Sequence, residues 1–139
     1  MTVPHRIVPL ALGDRSYSIH IGPGARRTLR DTIRDLGAER VAVIADAHVA
    51  NLHLATLRQE FATAPAVLTF PRGEASKSLA EVERLAGELA RARLERGDVV
   101  VAFGGGVAGD LAGFVAATWL RGVRFIQVPT TIEAAVDAS

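Results

Sequence analysis

The sequence of 139 residues contains no cysteine, which excludes disulfide bridges and thiolate metal sites. Aromatic residues make up only 5% of it. No apolar run reaches the roughly 18 residues that a membrane-spanning helix needs, and the first residues lack the apolar core of a signal peptide. A net charge of +1 gives no reason to expect a nucleic-acid partner or binding to an anionic membrane. We therefore expect a cytoplasmic protein.

The sequence does have an apolar content of 49% and a charged content of 22%, which is typical of a globular protein. We expect residues 1–139 to form a single domain. An apolar run without alternation indicates a buried strand at 99–103. Two further buried strands are predicted at 41–45 and 124–128, and a short strand at 66–70. Helical patterns at 47–62, from a capping box at Ser78 and Glu81 to about residue 96, and at 107–120 separate these runs. This alternation predicts an α/β fold with a parallel sheet and flanking helices.

The first 37 residues have a different pattern. Two short β-like runs, 6–12 and 16–21, flank Gly13. The alternation of apolar and polar residues in the second run predicts a half-buried N-terminal β-hairpin. A helix is predicted over 25–36, with Gly37 as its stop signal.

A glycine-rich turn follows the apolar run 99–103. Gly104, Gly105 and Gly106 lead into a segment of small residues with Asp110 in its predicted first turn. Bare backbone before a helix N-terminus suits a phosphate group, although glycine is equally needed in a tight turn for its backbone angles alone. The spacing of 104, 106 and 109 matches the dinucleotide fingerprint. This glycine turn follows the third core strand, however, and the next strand does not end in an acidic residue. An ordinary dehydrogenase fingerprint is therefore not indicated.

Other polar groups also fall at the carboxyl ends of predicted strands, where open α/β sheets bind ligands. Asp46 ends one strand, as a helix N-cap or as a ligand group. The loop 71–77 follows the next strand, and Thr130 and Thr131 follow the last one. Their convergence with the glycine turn predicts a nucleotide site at this edge. The four histidines form no ligand pattern, so we expect no metal site in this chain.

Several stretches together resemble one known family. They are residues 17–22, 71–78, 104–114, 117–123 and 125–131. In this order they closely resemble the 3-dehydroquinate synthases of the sugar-phosphate cyclase superfamily. The resemblance covers nearly the whole chain and corresponds to the NAD-binding, Rossmann-like N-terminal half of those enzymes.

The resemblance implies an enzyme that converts 3-deoxy-D-arabino-heptulosonate 7-phosphate to 3-dehydroquinate and phosphate in the shikimate pathway. It implies bound NAD and a zinc or cobalt ion that polarises a substrate oxygen. In the family, the metal ligands lie in a helical C-terminal domain that these 139 residues do not include, so we expect the chain alone to be inactive. The alternatives are a related cyclase of the 2-deoxy-scyllo-inosose or valiolone synthase type, and a non-catalytic NAD-binding module.

The resemblance also implies roles for individual residues. Asp137 is expected to meet a substrate hydroxyl. Arg121 is expected to reach the substrate phosphate of a neighbouring subunit, which implies a homodimer. The residues expected to hold NAD are Asp46, Glu74, Lys77, Gly105, Gly106, Val107, Asp110, Thr130 and Thr131.

Overall fold

The computed structural model describes residues 4–137. The strands are β1 (Arg6–Leu10), β2 (Tyr17–Ile21), β3 (Val41–Asp46), β4 (Ala66–Phe70), β5 (Val99–Gly104) and β6 (Arg124–Pro129). The α-helices are α1 (Thr28–Leu36), α2 (Ala47–Arg58), α3 (Leu79–Arg91), α4 (Gly106–Thr118) and α5 (Ile132–Asp137). In the segment predicted as one helix over 25–36, a short 3-10 turn at Ala25–Arg27 precedes α1.

The centre of the fold is a four-stranded parallel sheet with the strand order β4-β3-β5-β6. All six residues of β5 are buried, as the uninterrupted apolar run predicts for a strand covered on both faces. The predicted α/β fold with flanking helices is confirmed.

Alternate residues of the central strands enter two separate cores. On one face Ile44 and Ala102 pack with buried residues of α3 and α4, among them Leu85 and Val115. The opposite face packs against Leu29 of α1 and residues of α2. This layering leaves the two ends of the sheet as the places where polar groups gather.

The end of α3 differs from the prediction, because the helix stops at Arg91 and not near residue 96. Arg93 has a φ of 54°. The N–H of Arg93 donates to the carbonyl of Ala90, and the N–H of Leu94 donates to that of Leu89. These two bonds form a Schellman motif, a helix ending that usually has glycine in the left-handed position.

The N-terminal hairpin pairs antiparallel as predicted, with Arg6 opposite Ile21. The prediction that it is half-buried was wrong, because most of its residues are exposed. Val8 and Tyr17 are exposed by 43% and 49%. The alternation in the sequence separates the two faces of the hairpin correctly, but within residues 4–137 neither face is buried.

Among residues 4–137, no helix has the length and apolar character needed to cross a membrane.

Candidate functional site

The strand order determines where the sheet can receive a ligand. From β3 the chain continues to β4 on one side and then returns to β5 on the other side. In open α/β sheets, the gap between the carboxyl ends of two such strands is the usual binding place. Here the gap lies between Asp46, the last residue of β3, and Gly104, the last residue of β5. We call it the crevice.

Asp46 caps a helix and also borders the crevice. Its Oδ1 accepts a 2.8 Å hydrogen bond from the N–H of Val49, so Asp46 is the N-cap of α2. Its Oδ2 lies 3.2 Å from the position that a Cβ would take on Gly104. The two alternatives open at the sequence level are therefore compatible, since one oxygen caps the helix and the other borders the crevice.

The glycine turn places the N-terminus of α4 at the crevice. Gly105 is the N-cap, and its carbonyl accepts from the N–H groups of Ala108 and Gly109. The N–H groups of Gly106 and Val107 precede these and are the ones that a helix start presents to a ligand. The prediction of an acid in the first turn was wrong. Because α4 begins at Gly106, Asp110 is its fifth residue.

Thr130 and Thr131 close the crevice on the side of β6. The N–H of Thr130 donates a 2.8 Å hydrogen bond to the carbonyl of Gly104. The Cγ2 of Thr131 lies 3.5 Å from the position of a Cβ on Gly105, and its Oγ1 accepts from the N–H of Ala134 in α5. The structure thus brings both threonines to the glycine turn.

Glu74, Lys77 and Asp110 form a charged cluster that includes the loop 71–77 and α4. The Nζ of Lys77 lies 2.8 Å from Oε1 of Glu74 and 2.7 Å from Oδ2 of Asp110. The hydrogen bonds to Asp110 and then to Glu74 are the main reason why the pKa of Lys77 is raised above its ordinary value. The ammonium group is therefore charged at neutral pH and is held by two carboxylates.

Of the two residues expected to contact substrate, Arg121 lies away from the crevice. Arg121 follows α4, whose 13 residues extend about 20 Å from the glycine turn. It precedes β6, whose first residue pairs with Val99 at the start of β5. Arg121 therefore lies at the amino edge of the sheet, opposite the crevice. Asp137 is exposed at the end of α5.

A small pocket beside the crevice contains residues that the sequence analysis did not select. Its volume is about 240 Å³, and its lining includes His53 and Thr56 of α2 together with Phe103 and Thr130. His53 and Thr56 are three residues apart on one helix and share a face, which is a signal that the sequence contained. The spacing of His53 from the other histidines matches no metal-ligand pattern, so the sequence alone does not mark it as a functional residue.

The site offers groups that suit a nucleotide. Bare backbone, helix N–H groups and a lysine can bind phosphate oxygens, while a carboxylate can accept hydrogen bonds from sugar hydroxyls. Among residues 4–137, no group of three or more histidine, aspartate or glutamate side chains could hold a metal ion.

The strand order and the crevice define a Rossmann-like α/β protein. A family profile described as 3-dehydroquinate synthase N-terminal matches residues 67–139, just over half of the chain. The chain belongs to the 3-dehydroquinate synthase family, and the resemblance predicted from the sequence is confirmed.

Curated relatives with the name 3-dehydroquinate synthase match almost the whole chain. The protein from Ruegeria pomeroyi is 49% identical over 138 residues, which cover 96% of this chain and 37% of that protein. The protein from Brucella ovis is 47% identical over 137 residues, which cover 95% of this chain and 36% of that protein. The chain thus spans little more than a third of the length of these relatives.

Solved structures support the same fold. The crystal structure of 2-deoxy-scyllo-inosose synthase complexed with carbaglucose-6-phosphate, NAD⁺ and Co²⁺ matches with a TM-score of 0.85 at 28% identity, covering 95% of this chain and 36% of that one. The 2-epi-5-epi-valiolone synthase from Streptomyces hygroscopicus subsp. jinggangensis 5008, with NAD⁺ and Zn²⁺ bound, matches with a TM-score of 0.76 at 27% identity, covering 93% and 36%.

Proposed function

We propose that residues 1–139 are the NAD-binding domain of a 3-dehydroquinate synthase. The complete protein would convert 3-deoxy-D-arabino-heptulosonate 7-phosphate to 3-dehydroquinate and phosphate, as a cytoplasmic enzyme of the shikimate pathway. The observation that carries this proposal is the convergence of Asp46, Gly104 and Thr130 at the switch point of the sheet. The 49% identity to a relative with that name supports the choice of reaction.

The crevice fits NAD on structural grounds. At Gly104, a Cβ would stand only 2.7 Å from the Cβ of Ala108, so this turn requires glycine and leaves bare backbone at the crevice. The N–H groups of Gly106 and Val107 would hold the diphosphate, and the carboxylate of Asp46 would accept hydrogen bonds from the adenosine ribose. When bound, NAD supplies a transient hydride acceptor.

The remaining residues expected to hold the cofactor have supporting roles. Lys77 would add a cation beside the diphosphate, with Glu74 and Asp110 around it. Gly105, Thr130 and Thr131 would form the wall of the crevice on the side of β6. We assign no zinc or cobalt ligand to this chain, because its described residues offer no set of three ligands.

The position of Arg121 supports a homodimer. It lies at the amino edge, about 20 Å from the crevice of its own chain, which is farther than an arginine side chain extends. A contact between Arg121 and a substrate phosphate would therefore be made in the site of a second copy. Asp137 would meet a substrate hydroxyl at the end of α5.

Calorimetric titration of the 139-residue chain with NAD tests the binding role. We expect saturable binding that is greatly weakened by Lys77→Ala. The matched control is Arg34→Ala, because Arg34 also forms an ion pair with a carboxylate three residues away but lies on α1, remote from the crevice. The absence of NAD binding by the unchanged chain would contradict the proposal.

Phosphate release by the complete protein, with its metal, tests the reaction. We expect release from the heptulosonate phosphate and none from a hexose 6-phosphate, and no release by the 139-residue chain alone. The second candidate, a related sugar-phosphate cyclase, is favoured by the TM-score of 0.85 to 2-deoxy-scyllo-inosose synthase. It predicts the reverse preference. NAD binding without any release by the complete protein would indicate a non-catalytic module.

A further inference from the structure

The turn that carries Arg121 has an unusual backbone. Residues 119–122, which we call the arginine turn, are closed by a 2.8 Å hydrogen bond from the N–H of Gly122 to the carbonyl of Trp119. The two central residues, Leu120 and Arg121, have φ values of 50° and 68°. Turns with positive φ at both central positions usually contain glycine, asparagine or aspartate there, because a Cβ makes this conformation unfavourable.

The two central side chains do not account for this conformation. Leu120 is 45% exposed, and Arg121 is exposed and forms no ion pair within residues 4–137. Backbone strain of this kind persists only where the surrounding structure imposes it, and it is concentrated at functional sites. The conformation of the arginine turn must therefore come from the residues at its ends.

Trp119 and Val123 hold the two ends of the arginine turn. The Nε1–H of Trp119 donates a 3.1 Å hydrogen bond to the carbonyl of Leu94, and the N–H of Val123 donates a 2.9 Å bond to the carbonyl of Ala116. Both side chains pack against the core that α3 and α4 form with the sheet. Leu94 is itself fixed, because its side chain is buried and its N–H donates to Leu89. The indole thus ties the turn to a rigid point beyond α3.

We propose that Trp119 is a positioning residue, whose indole holds the arginine turn so that Arg121 is presented at the amino edge to the substrate phosphate of a second copy. This inference rests on the proposed function, which assigns that phosphate contact to Arg121. A guanidinium on a fixed backbone loses less freedom when it binds the phosphate, so the contact is stronger than the same arginine would make from a mobile loop.

Amide hydrogen exchange in the 139-residue chain tests whether Trp119 holds the turn. Trp119→Phe keeps an aromatic ring against the core but removes the donor to Leu94. We expect the N–H of Gly122 to exchange at least about fivefold faster in the variant, for the loss of one hydrogen bond that fixes the turn. The N–H of Gly37, at the end of α1, should keep its rate. Equal exchange of Gly122 in the two proteins would overturn the proposal.

Steady-state kinetics of the complete protein test whether the held turn matters to the substrate. For Trp119→Phe we expect the KM for the heptulosonate phosphate to rise by about three- to tenfold, with kcat changed by less than about twofold. A purely structural role predicts lower stability with an unchanged KM, which would overturn the proposal. The control is Leu29→Val in the opposite core, which should lower stability and leave KM unchanged.

A double-mutant cycle identifies the group through which Trp119 acts. Arg121→Ala alone should raise KM by at least about tenfold, through loss of a charge-assisted contact. In that background Trp119→Phe should change KM by less than about twofold, because the positioned group is gone. Additive effects of the two substitutions would overturn the positioning role and leave the proposed function intact. An unchanged KM in Arg121→Ala would instead remove the phosphate contact from the proposed function, and the positioning role with it.

Discussion

The Oδ2 of Asp46 lies 3.2 Å from the position that a Cβ would occupy on Gly104, so the ends of β3 and β5 leave no room for a side chain between them. Gly104 also has a φ of +154°, and a Cβ there would stand 2.7 Å from the Cβ of Ala108. The floor of the crevice is thus formed by backbone, which is the condition for a phosphate group to approach a helix N-terminus closely.

Gly104→Ala should therefore destabilise the fold and abolish NAD binding. We expect a loss of about 1–3 kcal/mol in the free energy of unfolding, from an unfavourable φ together with a steric clash. Chemical denaturation measures the loss. Gly106→Ala is the control for stability, because no atom lies within 4 Å of its Cβ position. Equal stability of the two variants would show that the close contact at Gly104 is relieved at little cost.

Asp46→Asn should reduce the preference for NAD over NADP. Asparagine caps a helix as well as aspartate does, so α2 should keep its stability. Loss of the charge weakens the bond to the ribose hydroxyls and removes the repulsion of a 2′-phosphate. We expect the dissociation constant for NADP divided by that for NAD to fall by about tenfold, a change of about 1.4 kcal/mol in the preference.

The control for this prediction is Asp46→Ala, which should also destabilise the protein by about 1 kcal/mol through the lost cap. Titration with both cofactors and chemical denaturation together separate the two roles of Asp46. An unchanged cofactor preference in Asp46→Asn would show that its carboxylate does not meet the ribose.

The sheet and the location of the site could be predicted because both follow from local patterns. Strands covered on two faces need unbroken apolar runs, and residues 99–102 are exposed by at most 2%. In a parallel sheet the carboxyl ends share one edge, so sequence order alone brings Asp46, Gly104 and Thr130 together. The roles assigned to the individual residues of that edge remain predictions.

Other features depend on contacts that leave no periodic pattern in the sequence, so they could not be predicted from it. The helix predicted to reach about residue 96 ends earlier, because the backbone reverses at Arg93 and the next residue, Leu94, is buried outside the helix. The ion pair of Lys77 joins residues 33 positions apart in different elements. Alternation in the hairpin defines its faces and gives no indication of what covers them.

Lys77 should remain charged well above the pH at which an ordinary lysine titrates. Its bonds to Asp110 and Glu74 raise its pKa above the usual 10.5. Because folding raises this pKa, the charged Lys77 contributes to the free energy of unfolding. The contribution is fully present when the pH is below the pKa of the unfolded state, and it is lost as the pH rises through the pKa of the folded state. Titration of the ¹³Cε resonance of Lys77 should show no transition near pH 10.5. In Asp110→Asn the transition should move down towards that value, and an identical midpoint in both proteins would contradict the assignment of the main cause to Asp110.

Two helix ends with the same hydrogen bonds have different residues in the left-handed position. At the end of α1, Gly37 has a φ of 67°, its N–H donates to Arg34, and the N–H of Ala38 donates to Ile33. At the end of α3 the equivalent residue is Arg93, with a φ of 54°. A left-handed conformation costs a residue with a Cβ roughly 1–2 kcal/mol. Glycine avoids this cost, but part of its advantage is lost because glycine has greater conformational freedom in the unfolded chain.

Arg93→Gly should therefore increase the free energy of unfolding by up to about 1 kcal/mol, and Gly37→Arg should lower it by a similar amount. No atom lies within 4 Å of the Cβ position on Gly37, so the second change tests the conformation alone. Arg93→Ala is the control for charge, because it removes the favourable cation at a helix C-terminus but keeps the strained backbone. Chemical denaturation of the three variants should rank them with Arg93→Gly as the most stable. If Arg93→Gly is instead the less stable of the two Arg93 variants, the arginine backbone at this position is not strained, and the left-handed turn is held by contacts that glycine weakens.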